Sequence, residues 1–224
     1  MLQASLANTV VVLTGAGGRL GRVISRKLLE AGATVAAIDV RSIDGLADEA
    51  TSFKADLADE MAVAETFAQI EEELGPVGGL IHTVGMWGST PLAQTELATW
   101  ETILKINLTT TFLSFREAAR RMTDREGRLV AITSGQGADG GVAEQGPYSA
   151  AKAGVVRLVE AVSAEYDGRI TAATVAPSMI LFGGEDEGTL GVNVDVIADL
   201  CLYLCGEGGA IHNGQVLRAY GTMQ

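Results

Sequence analysis

The chain has 224 residues, 47% of them hydrophobic and 5% aromatic, with 28 glycines, a balance that suits one domain around one sizeable core. Its formal charge of −12, with no basic cluster, disfavours nucleic acid as a partner. No apolar run reaches the roughly 18 residues of a membrane span, and Met1–Asn8 lacks the charged and apolar regions of a signal peptide, so a cytoplasmic protein is expected.

Asn8–Thr14 is a β-branched run of the kind buried on both faces of a parallel sheet. It leads into Gly15-Ala-Gly-Gly-Arg-Leu-Gly21, then a helical pattern over Arg22–Ala31 with Gly32 as its C-cap. Strand, glycine turn and helix N-terminus together form a phosphate cradle. Glycines allow the tight turn and the close approach of backbone, and the helix end offers unpaired N–H groups and a positive dipole. The next strand, Thr34–Val40, carries Asp39, 18 residues past Gly21, where an acidic residue meets an adenosine ribose. Leu20 stands where the strict G-x-G-x-x-G places its last glycine. The ordered set of strand, glycines, helix, strand and Asp still reads as a dinucleotide site.

Alternation continues. Thr51–Ala55 reads as a short strand closing on Asp56 and Leu57, and Asp59–Leu74 as a helix N-capped by Asp59 and broken by Gly75-Pro76. Gly79–Val84 is a strand that closes at Gly85-Met86-Trp87-Gly88, and Thr95–Met122 is one long helix or two abutting ones. Arg128–Thr133 is a strand ending at Ser134, Pro147–Tyr166 a helix, and Arg169–Val175 a strand ending at Ala176-Pro177. Val194–Cys205 is a helix and Gly214–Arg218 a last strand. The pattern predicts a single α/β domain over residues 1–224, a Rossmann-type doubly wound parallel sheet of about seven strands with helices on both faces. The loop Gly183–Gly191, rich in Gly and charge, is open to two readings, a mobile lid or a plain surface loop. Cys201 and Cys205 sit in an apolar helical run and His82 lies far from His212 in sequence, so the cysteines read as core residues, consistent with a reducing compartment, and no metal site is expected.

Tyr148 and Lys152 are four residues apart on a helical pattern, so phenol and ammonium share a face. A nearby cation favours the phenolate, and a Tyr tuned toward working pH can exchange a proton with an alcohol or ketone. Taken alone the pair is a weak signal, and an ordinary surface pair is its plain alternative.

With the rest of the chain, these residues resemble the short-chain dehydrogenases/reductases over about Thr9–Gly221. Thr14, Gly15 and Gly21 match the family's Thr-Gly-x3-Gly-x-Gly, with Arg19 in place of the middle glycine, as in pteridine reductases. Asp56 matches the acidic residue after the third strand. His82-Thr83-Val84-Gly85 stands where the family has Asn-Asn-Ala-Gly; only Gly85 is kept, and His82 is open to two readings, a structural substitute bonding neighbouring backbone or a ligand contact. Asn107, Ser134, Tyr148 and Lys152 match the catalytic set in order, and Pro177 matches the family's Pro-Gly with Ser178 replacing the glycine.

The resemblance implies the roles. Tyr148 would be acid in reduction or base in oxidation, and Lys152 would lower its pKa and bind the nicotinamide ribose. Ser134 would donate to the substrate oxygen, and Asn107 would hold a relay water or else simply kink its helix. The cofactor would contact Gly15, Gly17, Gly18, Arg19, Leu20 and Gly21, then Asp39, Asp56 and Leu57, with Gly85, Lys152 and Pro177 as further contacts. Arg19 would set a guanidinium beside its phosphates. NAD is expected over NADP because Asp39 accepts from a ribose hydroxyl and repels a 2′-phosphate, although Arg19 and Arg41 keep NADP open. Met86, Trp87, Gln136, Gln145 and Met179, with Glu144, Ile180 and Phe182, are candidate walls for a small carbonyl or alcohol substrate. A homodimer or homotetramer through Thr95–Met122 and Pro147–Tyr166 is implied. Two other readings stay open: a dihydropteridine-reductase-like pterin reductase, and a non-catalytic dinucleotide-binding regulator.

Overall fold

Residues 6–45, 50–186 and 188–221 are described in a computed structural model. Its centre is β1 (Val10–Thr14). Val10 and Val12 face one layer of helices and Val11 and Leu13 the other, which is why an unbroken apolar run is needed here. After β1 come α1 (Arg19–Glu30), β2 (Thr34–Asp39), β3 (Thr51–Lys54), α2 (Glu60–Leu74), β4 (Val77–His82), α3 (Leu97–Leu104) and α4 (Thr110–Arg121). The second half runs β5 (Gly127–Ile132), α5 (Gly135–Ala138), α6 (Gly146–Glu165), β6 (Ile170–Pro177), β7 (Ile180–Leu181), β8 (Val192–Asn193), α7 (Val194–Cys205) and β9 (Val216–Ala219).

Seven strands form one parallel sheet in the order β3-β2-β1-β4-β5-β6-β9. Side chains of α2, α4 and α6 pack on one face, including Phe67, Phe115 and Val155. Those of α1 and α7 pack on the other, including Ile24, Leu28, Ile197 and Cys201. The strand order reverses between β1 and β4. In an open α/β sheet the ligand crevice lies at the carboxyl ends of the strands at such a point. Register places Thr14 beside His82 there.

The doubly wound reading holds, with local differences. The glycine turn is shorter than expected: Gly18 is extended (φ −72°, ψ 165°) and starts the helix, so Arg19, Leu20 and Gly21 are already helical. β4 starts two residues early, through Gly78 and Gly79. A Cβ on Gly79 would come within 2.6 Å of Cys205 Sγ, so this glycine marks where α7 lies against the sheet and not a turn. The long helical stretch is two helices, α3 and α4, joined through a π turn at Lys105–Thr109. α5 and the two-residue pair β7 and β8 are additions. The Gly183–Gly191 loop joins β7 to β8, and its Glu187 lies outside the described residues. Among the described residues no helix is long and apolar enough to cross a membrane, and no group of His, Cys, Asp or Glu is placed to hold a metal.

Candidate active site

The turn after β1 is shaped by close approach. Gly15 has φ +68°, and a Cβ on it would lie 2.7 Å from Thr83 Oγ1. A Cβ on Gly21 would overlap the Gly15 carbonyl oxygen. Both positions therefore require glycine. No side chain caps α1, so its first N–H groups remain available at the positive end of the helix dipole. They border a cleft of about 800 Å³ lined by Gly15, Gly18, Arg19, Leu20 and Gly21, with Asp39 at one end and Asp56 and Leu57 across from it. Gly17 borders this cleft only through its partner: its N–H donates to Asp39 Oδ2 at 3.1 Å, and Arg41 N–H donates to Oδ1 at 3.1 Å. The Asp39 carboxylate is thus fixed in orientation at the end of β2. The cradle, the aimed carboxylate and the size fit a dinucleotide.

Beyond Leu20, Thr83, Gly85 and Phe182, which line both, a second cleft of about 790 Å³ continues over the ends of β5 and β6. Ser134, Tyr148, Lys152 and Pro177 line it. Ser134 closes β5 and caps α5, its Oγ accepting from Gly137 N–H at 3.3 Å. A Cβ on Gly137 would lie 2.5 Å from the Lys152 carbonyl carbon, so α5 rests directly on α6 and brings Ser134 to Tyr148. Burial pushes the Tyr148 pKa above its ordinary value, opposed by the neighbouring Ser134 hydroxyl. The Lys152 ammonium is buried, 6.0 Å from the centre of the Tyr148 ring, and donates to the Ile132 carbonyl at 2.9 Å. Burial lowers its pKa to about 8. The net shift of the phenol is therefore upward, and burial is its larger cause.

Two buried groups support this floor. His82 is neutral, its pKa lowered to about 3 by burial and then by the Lys152 charge. Its partners are hydroxyls and not the backbone: Nδ1 lies 2.8 Å from Thr14 Oγ1 and Nε2 3.3 Å from Thr110 Oγ1. Thr110 donates to the Ile106 carbonyl, so the network assigns the ring proton to Nε2 and lets Nδ1 accept from Thr14. Asn107, in the π turn, lines neither cleft. Its amide donates to the Met86 and Ile103 carbonyls, both at 2.9 Å, and its Oδ1 accepts from Met86 N–H at 3.1 Å. The Asn107 side chain therefore pins the segment after β4.

The sequence pattern of the short chain dehydrogenases matches residues 9–185. An acetoacetyl-CoA reductase of Synechocystis is 32% identical over 200 residues, covering 88% of this chain and 80% of the relative. The chain belongs to the short-chain dehydrogenase family. A relative in Xanthobacter autotrophicus, called inactive 2-(S)-hydroxypropyl-CoM dehydrogenase 2, is 33% identical over 180 residues, covering 77% and 78% of the two chains. The crystal structure of levodione reductase shares the fold of this dehydrogenase at a TM-score of 0.87 and 24% identity, covering 96% of this chain and 97% of that one. The protein is accordingly an oxidoreductase of this family, whose members use nicotinamide dinucleotides.

In this short-chain dehydrogenase the mouth of the second cleft is formed by Met86, Trp87, Gln136, Met179, Ile180 and Phe182. Gln145 does not line it but accepts from Trp87 Nε1 at 3.2 Å, fixing the indole. Glu144 does not line it either. It has φ +63°, and its carbonyl accepts from Thr90 N–H, tying the segment before Tyr148 to the one after β4. Arg19 borders the dinucleotide cleft with its guanidinium 3.9 Å from the centre of the Phe182 ring. One cluster escaped the sequence reading. Asp139, just after α5, accepts from Arg218 Nε at 2.6 Å and from the Tyr220 hydroxyl, both at the end of β9. Nothing in sequence links residues so far apart.

Proposed function

We propose that the dehydrogenase transfers hydride between NAD(H) and a small ketone or alcohol, with Tyr148 as the general acid of reduction and base of the reverse reaction. What supports this reading is that Ser134, Tyr148 and Lys152 line one cleft, which continues from the dinucleotide cradle. A bound nicotinamide supplies the hydride. Ser134 donates to the substrate oxygen, where negative charge develops, and Tyr148 delivers its proton to that oxygen. Lys152 binds the ribose hydroxyls and carries the charge that favours the resulting phenolate. Asn107 acts on this site by holding Met86, and a relay water at its residue is compatible with that role. The Ser at position 134 favours a carbonyl or alcohol over a pterin.

Asp39 supports NAD. A 2′-phosphate at the ribose would meet a nearly buried carboxylate, and Arg41 lies 3.9 Å away on the solvent side. Assembly through α3, α4 and α6 and a cytoplasmic site belong to the same reading; the exposed Phe112 of α4 fits the first and two buried free thiols the second.

One relative's name marks it inactive, so turnover itself needs testing. Nicotinamide fluorescence titrations should give tighter binding of NADH than of NADPH, and Tyr148→Phe should keep that binding while turnover of ketones falls about 100-fold or more. Binding of neither cofactor sinks the reading. Unchanged turnover in Tyr148→Phe removes Tyr148 from the chemistry, and binding without any turnover points to a regulator.

A further inference from the structure

A cavity of about 340 Å³ opens beside the end of β5. It shares Gln136 and Ser178 with the substrate cleft, so the two are continuous. Its other walls are Gly135, Asp139, Gly140, Val142 and the ring of Tyr220. The wall is built to a fit: a Cβ on Gly135 would stand 3.4 Å from the Tyr220 hydroxyl oxygen, so the ring lies against the residue that follows Ser134.

The charges here cancel. Arg218 is spent on one Asp139 oxygen and the Tyr220 hydroxyl on the other. The cavity therefore meets neither a spare cation nor a spare anion, in a protein of net charge −12. A carboxylate or phosphate entering it would gain no counter-charge and would face Asp139. Gln136 is different. It is half-buried at the junction of the two spaces, and its carboxamide has no protein hydrogen-bond partner among the described residues. An alkyl group packed against it would leave both its donor and its acceptor without a partner, whereas an oxygen-bearing group would satisfy either.

We propose that this cavity is a second compartment of the substrate site, which takes an uncharged hydroxyl or second carbonyl of the substrate, read by Gln136, while the reacting carbon lies at Ser134 and Tyr148. The inference rests on the carbonyl reading of the cleft and narrows its substrate to a neutral hydroxyketone, diketone or the corresponding diol. Tyr220, brought in by β9 and fixed by Asp139, is the wall that closes the compartment, so the last strand contributes to specificity as well as to the sheet.

Three matched compounds test it: 4-hydroxy-2-butanone, 2-pentanone and acetoacetate. The enzyme should favour the first over each of the others by up to about tenfold in kcat/KM, the discrimination one neutral hydrogen bond provides. In Gln136→Leu that ratio should fall to within about threefold. Val142→Trp, which fills the compartment without touching Gln136, should lower it too. A ratio unchanged in both variants, or a preference of the unaltered enzyme for acetoacetate, overturns the proposal. If no compound is turned over with either cofactor, the carbonyl-reduction reading fails separately. The compartment is then judged by quenching of Trp87, which lines the cleft. Tighter binding of the hydroxyketone that is lost in Gln136→Leu sustains it, and equal binding of all three compounds overturns it.

Discussion

His82 makes stability depend on acid in a way that can be isolated. The ring is 1% exposed, and its pKa lies near 3 against an ordinary 6.5. Its folded form is neutral, so below pH 6.5 the unfolded chain binds a proton that the folded chain refuses. Stability from this group is fully present above pH 6.5 and drains as pH falls toward 3. At about 1.4 kcal/mol per pH unit, the loss is on the order of 2–3 kcal/mol by pH 4.5, before most carboxylates titrate. His82→Asn is the chosen perturbation, because an amide oxygen at the Nδ1 position can still accept from Thr14 and the side chain acquires no charge. Urea unfolding of both proteins at fixed ionic strength, from pH 7 to 4.5, reads the difference. The gap between the two free energies should shift against the unaltered protein by that amount as pH falls. Parallel curves would refute the buried, neutral assignment, since a His82 that protonates in place would show no such divergence.

Other outcomes follow from the same floor. Lys152, with a folded pKa of about 8 against an ordinary 10.5, should lose its charge as pH rises through 8. Initial rates of ketone reduction should fall with a midpoint near there, and a flat profile to pH 9.5 would argue that Lys152 stays charged. The same depression means the unfolded chain holds the extra proton between pH 8 and 10.5, so this group's contribution to stability should rise across that interval, readable in Tm at matched ionic strength. Gly21→Ala should abolish NADH binding in a fluorescence titration and cost about 1–3 kcal/mol in urea unfolding, because the methyl overlaps the Gly15 carbonyl. Asn107→Ala removes three hydrogen bonds to backbone, the one to Ile103 buried, and should destabilise by roughly 1–3 kcal/mol, with kcat/KM falling as the Met86 segment loosens.

Much of this architecture was legible because its signals are local. β1 must be apolar throughout, and next to it in sequence come a turn and a helix start where only glycine fits at Gly15 and Gly21, so strand and cradle are written side by side. Asp59 announces the start of α2, and its carboxylate does accept from the N–H groups of Met61 and Ala62. What sequence hid is what depends on distant contact. Gly79 was read as the start of its strand, but why a glycine stands there shows only when α7 is laid on the sheet. Gly135 and Gly137 look like loop residues, yet one faces Tyr220 and the other Lys152, and the short helix between these neighbours is what positions Ser134. A supporting role was one of the two readings of His82, but its hydroxyl partners come from two other elements. The Asp139, Arg218 and Tyr220 cluster needs β9 to pair with β6 before it exists.

Arg19 shows how one replacement joins features that sequence keeps apart. A cation at the start of α1 opposes the positive end of the helix dipole, so the position needs compensation. It finds this in the loop between β7 and β8. The guanidinium stacks on Phe182, while Glu185 accepts from the N–H groups of Phe182 and Gly183 at 2.8 and 2.9 Å. The hydrogen bond from Phe182 first, with the Arg19 charge contributing, holds that carboxyl below its ordinary pKa. The loop is thereby fastened to the same helix start that forms the phosphate cradle. Since Phe182 walls both the dinucleotide cleft and the substrate cleft, with Leu20, Thr83 and Gly85, a movement of Phe182 away from Arg19 would widen both clefts together. A short loop can therefore cover the site because the residue that replaced a glycine supplies its anchor.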